Sequence, residues 1–203
     1  MRPPTSDATT PMKLDMTMMY AFHDALRHDL ESVAQMTARS DGWDVFQRFL
    51  RIHHTVEDEA LWPVLREELV DRPRDLALLD QMEAEHAALE PLLDAIDDAL
   101  DRGESAPAAR TDLAARLGEH LRHEEEAALP LIDRTLSEEQ WMHFGEAGMA
   151  SLRPDMPTFL PWLLSGTNDE RTSGVLGYLP APVQASLRDD WQPAYAATDW
   201  WAA

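Results

Sequence analysis

A chain of 203 residues, 44% hydrophobic and 27% charged, is long enough to bury a substantial core and has the balance of a soluble globular protein. Its net charge of −21, from 38 acidic and 17 basic residues, argues against nucleic acid or an anionic membrane as partner, since both demand clustered Lys and Arg. Cysteine is absent, which excludes disulfides, thiolate nucleophiles and thiolate-held iron–sulfur clusters; with no apolar run near the roughly 20 residues of a membrane span, a cytoplasmic protein is the expectation.

Residues 1–14 read as a disordered tail, because MRPPTSDATTP carries no hydrophobic core of its own. A first helix is predicted from about Asp15, its candidate cap, to Arg39, with Met19, Phe22, Leu26, Leu30, Val33 and Met36 at helical spacing. Ser40-Asp41-Gly42 reads as a turn. The second helix is predicted from Trp43 to Leu69, with a kink or break at Pro63, and Asp71-Arg72-Pro73 as the next turn. The third runs from about Arg74 to Arg102 and is interrupted by Pro91. The fourth begins near Ala108 and reaches Leu131. No period-2 run competes with this pattern.

Residues 134–203 have a different character. Ser137-Glu138-Glu139-Gln140 resembles a capping box for a fifth helix through about Leu152, and a last amphipathic piece is predicted around Val175 to Trp201. Five of the seven tryptophans lie in this extension, which suits either packing across the rest of the chain or a homodimer or partner surface.

The chemistry sits in a repeat. HHTVEDEALWP, from His53 to Pro63, recurs as HLRHEEEAALP, from His120 to Pro130, pairing His53 with His120, Glu57 with Glu124 and Pro63 with Pro130. His and Glu four apart share one helix face, where they make a ready pair of metal ligands. A weaker echo links HDALRHDL at His23 with HAALEPLL at His86.

Depth from the turns agrees with a bundle. His23 lies 18 residues before Asp41, with His53 and Glu57 12 and 16 after it. Glu57 lies 15 before Arg72 and His86 14 after. His86 lies 19 before Ser105, with His120 and Glu124 15 and 19 after. At about 1.5 Å per residue, these groups reach one layer within roughly a turn of each other. The expected fold is therefore all-α: an antiparallel up-down four-helix bundle over residues 15–133, with a C-terminal helical extension. Imidazoles suit Fe, Zn or Cu, carboxylates can bridge two cations, and two glutamates buried without a cation would be costly.

The two His-x-x-x-Glu pairs, each with Pro six residues after its Glu, and the single His on each intervening helix resemble the hemerythrin-like, or HHE cation-binding, family over about Met19 to Ile132. That resemblance implies His23, His53, Glu57, His86, His120 and Glu124 as iron ligands, the two glutamates as bridges, and two non-haem iron ions in an oxo- or hydroxo-bridged centre as cofactor. It departs from the oxygen carriers of the family, which have a further histidine where Met82 stands. Their acid on the fourth helix also follows its His by five residues, whereas His120 and Glu124 are four apart. His54 is the candidate replacement imidazole, although a neighbour of His53 points about 100° away. His28 and His123 are expected at the surface, His143 in a structural role, and Tyr20 within reach of the site.

Fewer imidazoles favour turnover or sensing over oxygen storage. The resemblance thus implies a di-iron protein that meets O2, hydrogen peroxide or nitric oxide, with catalase-like peroxide disproportionation as the enzymatic form and no catalytic residue separate from the ligands. Two alternatives compete. One is a metal-stabilised binding module that contacts a partner through its aromatic tail. The other is a ferritin-like oxidase, which wants two Glu-x-x-His motifs where only Glu83 to His86 fits.

Overall fold

The computed structural model describes residues 12–202, and among them every regular element is helical. The expected tail lies outside the described residues as far as position 11. Its last part is fastened down: Leu14 is buried, its N–H donates to Asp133 Oδ1 at 2.7 Å, and Lys13 Nζ donates to the Leu136 carbonyl at 2.6 Å.

The first rod is α1, Thr17–Gln35, shorter than predicted because Met36 turns extended at ψ 145°. Asp15 does accept from the Thr17 N–H, at 2.9 Å. The second rod starts earlier than predicted with α2, Asp41–Val56. Ser40 caps it by accepting from the Trp43 N–H, and Asp41 and Asp44 sit at the positive end of its dipole, so the expected turn is the helix start.

The rod does not end at Pro63. A π-turn, Glu57–Leu61, carries α2 into α3, Trp62–Glu68, and the Trp62 N–H reaches back five residues to the Glu57 carbonyl. Proline lacks an N–H and crowds the carbonyl four residues back; the widened turn relieves both demands. The fourth rod repeats the device, with α5, Pro107–His123, a π-turn at Glu124–Ala128, and α6, Leu129–Thr135. The third rod, α4, Pro73–Asp101, is one helix straight through Pro91. Gly103, at φ 75°, then supplies the left-handed residue that closes it.

Two apolar clusters fill the rods, with a polar layer between them. One includes Leu26, Val33, Phe46, Leu50, Leu93 and Leu117. The other includes Met19, Leu61, Leu65, Leu79, Met82 and Leu129. Along each rod the chain passes from one cluster to the other, and the crossing reverses sense from each rod to the next. His23, His53, His86 and His120 lie at the crossings.

The extension is a chain of short helices. α7, Glu138–Leu152, opens with the predicted capping box of Ser137 and Gln140 and packs on α2. A 3-10 turn leads to α8, Met156–Ser165, then α9, Asp169–Tyr178. The single last piece predicted from Val175 is instead α9, α10 (Ala181–Ser186), a π-turn and α11 (Gln192–Ala196), because Leu179 and Pro180 turn extended, at ψ 133° and 145°, and end α9 before α10 begins. Trp162 of α8 is fully buried, its ring 5.2 Å from Phe22 and 4.8 Å from Phe49, and its Nε1–H donates to buried Asp29 at 2.6 Å. Gly166 lets α8 end against α1, where a Cβ would lie 2.6 Å from the Asp24 carbonyl. Among the described residues no helix is long and apolar enough to cross a membrane.

Candidate metal centre

The polar layer collects His23 from α1, His53 and His54 from α2, His86 from α4, His120 from α5, and Glu57 and Glu124 from the first positions of the two π-turns. All seven are buried, and both glutamates have no exposure at all. They fall into two groups. His23, His53, Glu57 and Glu124 each offer one ligand atom within 4.8 Å of the others, and so do His54, His86 and His120.

Within each group two Nε2 atoms face each other at 3.2 Å, His23 with His53 and His86 with His120. The carboxylates tie the groups together. Glu57 Oε1 lies 3.4 Å from His53 Nε2, and its Oε2 lies 3.5 Å from His86 Nε2. Glu124 Oε2 lies 3.1 Å from His23 Nε2 and 4.0 Å from His120 Nε2.

The carboxylate approaches do not have hydrogen-bond geometry. Both oxygens of Glu57, both of Glu124, and His54 Nε2 are buried without a hydrogen-bond partner. Burying even one unsatisfied polar group costs about 1–3 kcal/mol, and a carboxylate costs more. Lone pairs from seven side chains converging on two small volumes fit two cations, which would satisfy all of these atoms at once.

The outer nitrogens are fixed by a ring of acids. His23 Nδ1 lies 2.9 Å from Glu125, which Arg27 also holds at 2.8 Å. His86 Nδ1 lies 2.8 Å from Asp58, and His120 Nδ1 lies 2.9 Å from Glu85. A carboxylate there accepts the Nδ1 hydrogen and leaves the Nε2 lone pair turned inward, the usual device that sets a metal-binding imidazole.

Charge in the layer is strained without a cation. Burial, and then the charge of Glu124, push the Glu57 carboxyl well above the usual carboxylate range. Burial would raise Glu124 too, but His23 first, then His53 and His120, hold it low. Burial disfavours a charged His23, yet Glu124 and Glu125 outweigh it and pull that imidazole up to about 9. Burial and neighbouring imidazoles depress His53 and His54, which leaves both as neutral donors.

The hemerythrin HHE cation-binding domain matches residues 14–132, more than half of the chain. The chain belongs to this family. No curated protein and no solved structure matches it. The match ends within the fourth rod, and α7 to α11 lie beyond it.

All six residues carried over from the family pattern meet in the layer, and His54 joins them. The step of about 100° from His53 does not take His54 out of the site. It swings the ring from one group to the other, where it stacks on His86 at 3.9 Å with planes 10° apart. Met82 packs into the apolar cluster beside Leu79. His28 and His143 are exposed, so His143 has no structural role of the kind expected. His123 is half-buried on Glu85, at 2.8 Å. Tyr20 turns away, with its hydroxyl 4.0 Å from Met12 Sδ and Arg171 over its ring.

Sequence reasoning missed Asp58, Glu85 and Glu125. A signal for two of them was present, since each repeat follows its inward glutamate with a second acid, Glu57-Asp58 and Glu124-Glu125.

Proposed function

We propose that the polar layer is a di-iron centre in an antiparallel up-down four-helix bundle, and that the protein meets O2, hydrogen peroxide or nitric oxide in sensing or detoxification. The bundle reading is supported by the reversal of the two apolar clusters from rod to rod. The observation that carries the metal reading is the pair of buried, unpartnered carboxylates, each within reach of both histidine groups. His23 and His53 would hold one ion, His54, His86 and His120 the other, and Glu57 and Glu124 both.

When bound, two iron ions supply the electrons on which reduction of O2 or peroxide draws, or a binding point for nitric oxide. The chain's own residues orient and insulate. Glu125, Asp58 and Glu85 keep the imidazole lone pairs inward, and the apolar clusters on either side of the layer exclude bulk water. The His23 and His53 group has one imidazole fewer, which leaves it the more open side for a small ligand.

The test is metal analysis of protein purified without chelators, with optical spectra after anaerobic reduction and then addition of air, peroxide or nitric oxide. About two irons per chain and a spectrum that responds to one of these support the reading. A single zinc, silent in every arm and evolving no oxygen from peroxide, would sink it.

A further inference from the structure

A cavity of about 820 Å³ lies between the hemerythrin-type domain and the C-terminal extension. Its inner wall is formed by Phe22, Ile52, His53 and Val56, its outer wall by α7 with Gly148 and Met149. His53 is the one residue of the metal layer that reaches it, and Phe22 stacks on that ring at 4.5 Å.

We propose that this cavity binds a neutral, apolar organic molecule seated against the His53 edge of the metal centre. The inference goes beyond the metal reading and does not depend on which ion is held.

Size is the first argument. Small-molecule pockets run to about 300–1,000 Å³, and a diatomic gas needs far less room than this. The second is lining. Apart from His53 the interior is apolar, and Met18, Met19, Met142, Met149 and Met156 give it flexible thioethers that adapt to a guest. Met142 and Met149 are also among the exposed large hydrophobic side chains, at 56% and 37%.

Charge is the third argument. The exposed ionic groups along the cavity are Asp15, Glu138 and Glu146 against Lys13, whose Nζ is already engaged by the Leu136 carbonyl. That rim disfavours an anion, as does the chain's charge of −21. Nor does the chain offer an occupant of its own in residues 1–11, where Met1 is the only large apolar side chain.

The test uses the full chain with N-phenyl-1-naphthylamine, a neutral fluorescent probe, beside the anionic 1-anilinonaphthalene-8-sulfonate. Saturable binding of one neutral probe per chain is expected, about tenfold or more tighter than the anion. Gly148→Leu is the blocking variant. A Cβ there meets only Val56 Cγ1, at 3.9 Å, and leucine suits helix α7 better than glycine, so the side chain should fill the cavity without unfolding the protein. It should weaken the probe about tenfold or more while circular dichroism, Tm and metal content stay unchanged. Gly145→Leu, whose Cβ would meet nothing within 4 Å, serves as a second blocking variant if Gly148→Leu misfolds.

Unsaturable binding, equal binding by the blocking variant, or preference for the anionic probe would overturn the proposal. So would sedimentation showing a dimer that excludes the probe, which would make a second copy the occupant. Metal content is read in every arm, so failure of the iron reading and failure of this one are seen separately.

Discussion

The two repeats, residues 53–63 and 120–130, do nearly the same work from opposite sides of the layer. Each places a histidine and a glutamate inward, opens a π-turn at the glutamate, and starts the next helix around its proline. Each then uses the following acid to steady an imidazole on another rod, Asp58 on His86 and Glu125 on His23. They differ at the second position, where His54 in one repeat corresponds to Leu121 in the other and both are buried. The frame is therefore close to symmetric while the donor sets are not. Two imidazoles belong to one group and three to the other, the third being His54, which stands where the repeat breaks.

The largest test of this comparison strikes what the two groups share. Glu57→Leu or Glu124→Leu should take iron from about two per chain to nearly none by elemental analysis. The metal-free Glu57→Leu protein should become more stable by about 1–3 kcal/mol in urea unfolding, because an unsatisfied buried carboxyl is gone, whereas Glu124→Leu should be destabilised, because it strips His23 of its buried partner. One iron left behind would mean that the carboxylates are not shared. Next come variants that strike one side. His53→Ala and His120→Ala should each lose most of the bound iron, whereas His54→Leu, which copies Leu121, should leave about one per chain. Equal loss from all three would erase the distinction between the groups.

Smaller effects sharpen it. Asp58→Asn and Glu125→Gln should keep the stoichiometry but weaken metal affinity by about 10–100-fold in competition with a chelator. Proton release gives a pH signature for the His23 side. In the metal-free protein the His23 imidazole is held up to about 9, from an ordinary value of 6.5. It contributes stability that is fully present below about pH 6.5 and is lost as pH rises through about 9. Metal added near neutral pH should therefore expel a proton from His23, visible with an indicator dye in weak buffer, and His23→Gln should remove that proton from the release while leaving the contribution of Glu57, whose carboxyl is also pushed up. His28→Ala, on the exposed face, should change none of these quantities.

The rods and the layer were legible because hydrophobic period and turn residues both register depth along a helix. That is why His23, His53, His86 and His120 could be placed at one level from chain position alone. The identity of the donors was half legible. Spacing along one helix reveals His53 with Glu57, but it says nothing about which second face a wide inward stripe will use, so His54 stood only as a candidate replacement with the step of about 100° against it. Asp58, Glu85 and Glu125 act across rods, and their contacts exist only once the rods are assembled. The extension was legible at Ser137, where a local cap decides the helix start. It was not legible after Val175, where short helices owe their ends to the surface they cover.

The π-turns have a further consequence. Each inserts the equivalent of one surplus residue into its rod, so everything after Glu57 and after Glu124 is turned by about 100° from where an uninterrupted helix would carry it. The ion-holding layer and the Leu65 and Leu129 end of the core are thus set in phase by two angular couplings. Deleting Ala60 would remove that surplus, so the rod could close as an ordinary α-helix with Trp62, Leu65 and Leu69 still facing their neighbours, whereas adding a residue there would turn them by about a further 100°. In this chain the spacing of the metal layer and the packing of the far core are adjusted by the same two turns.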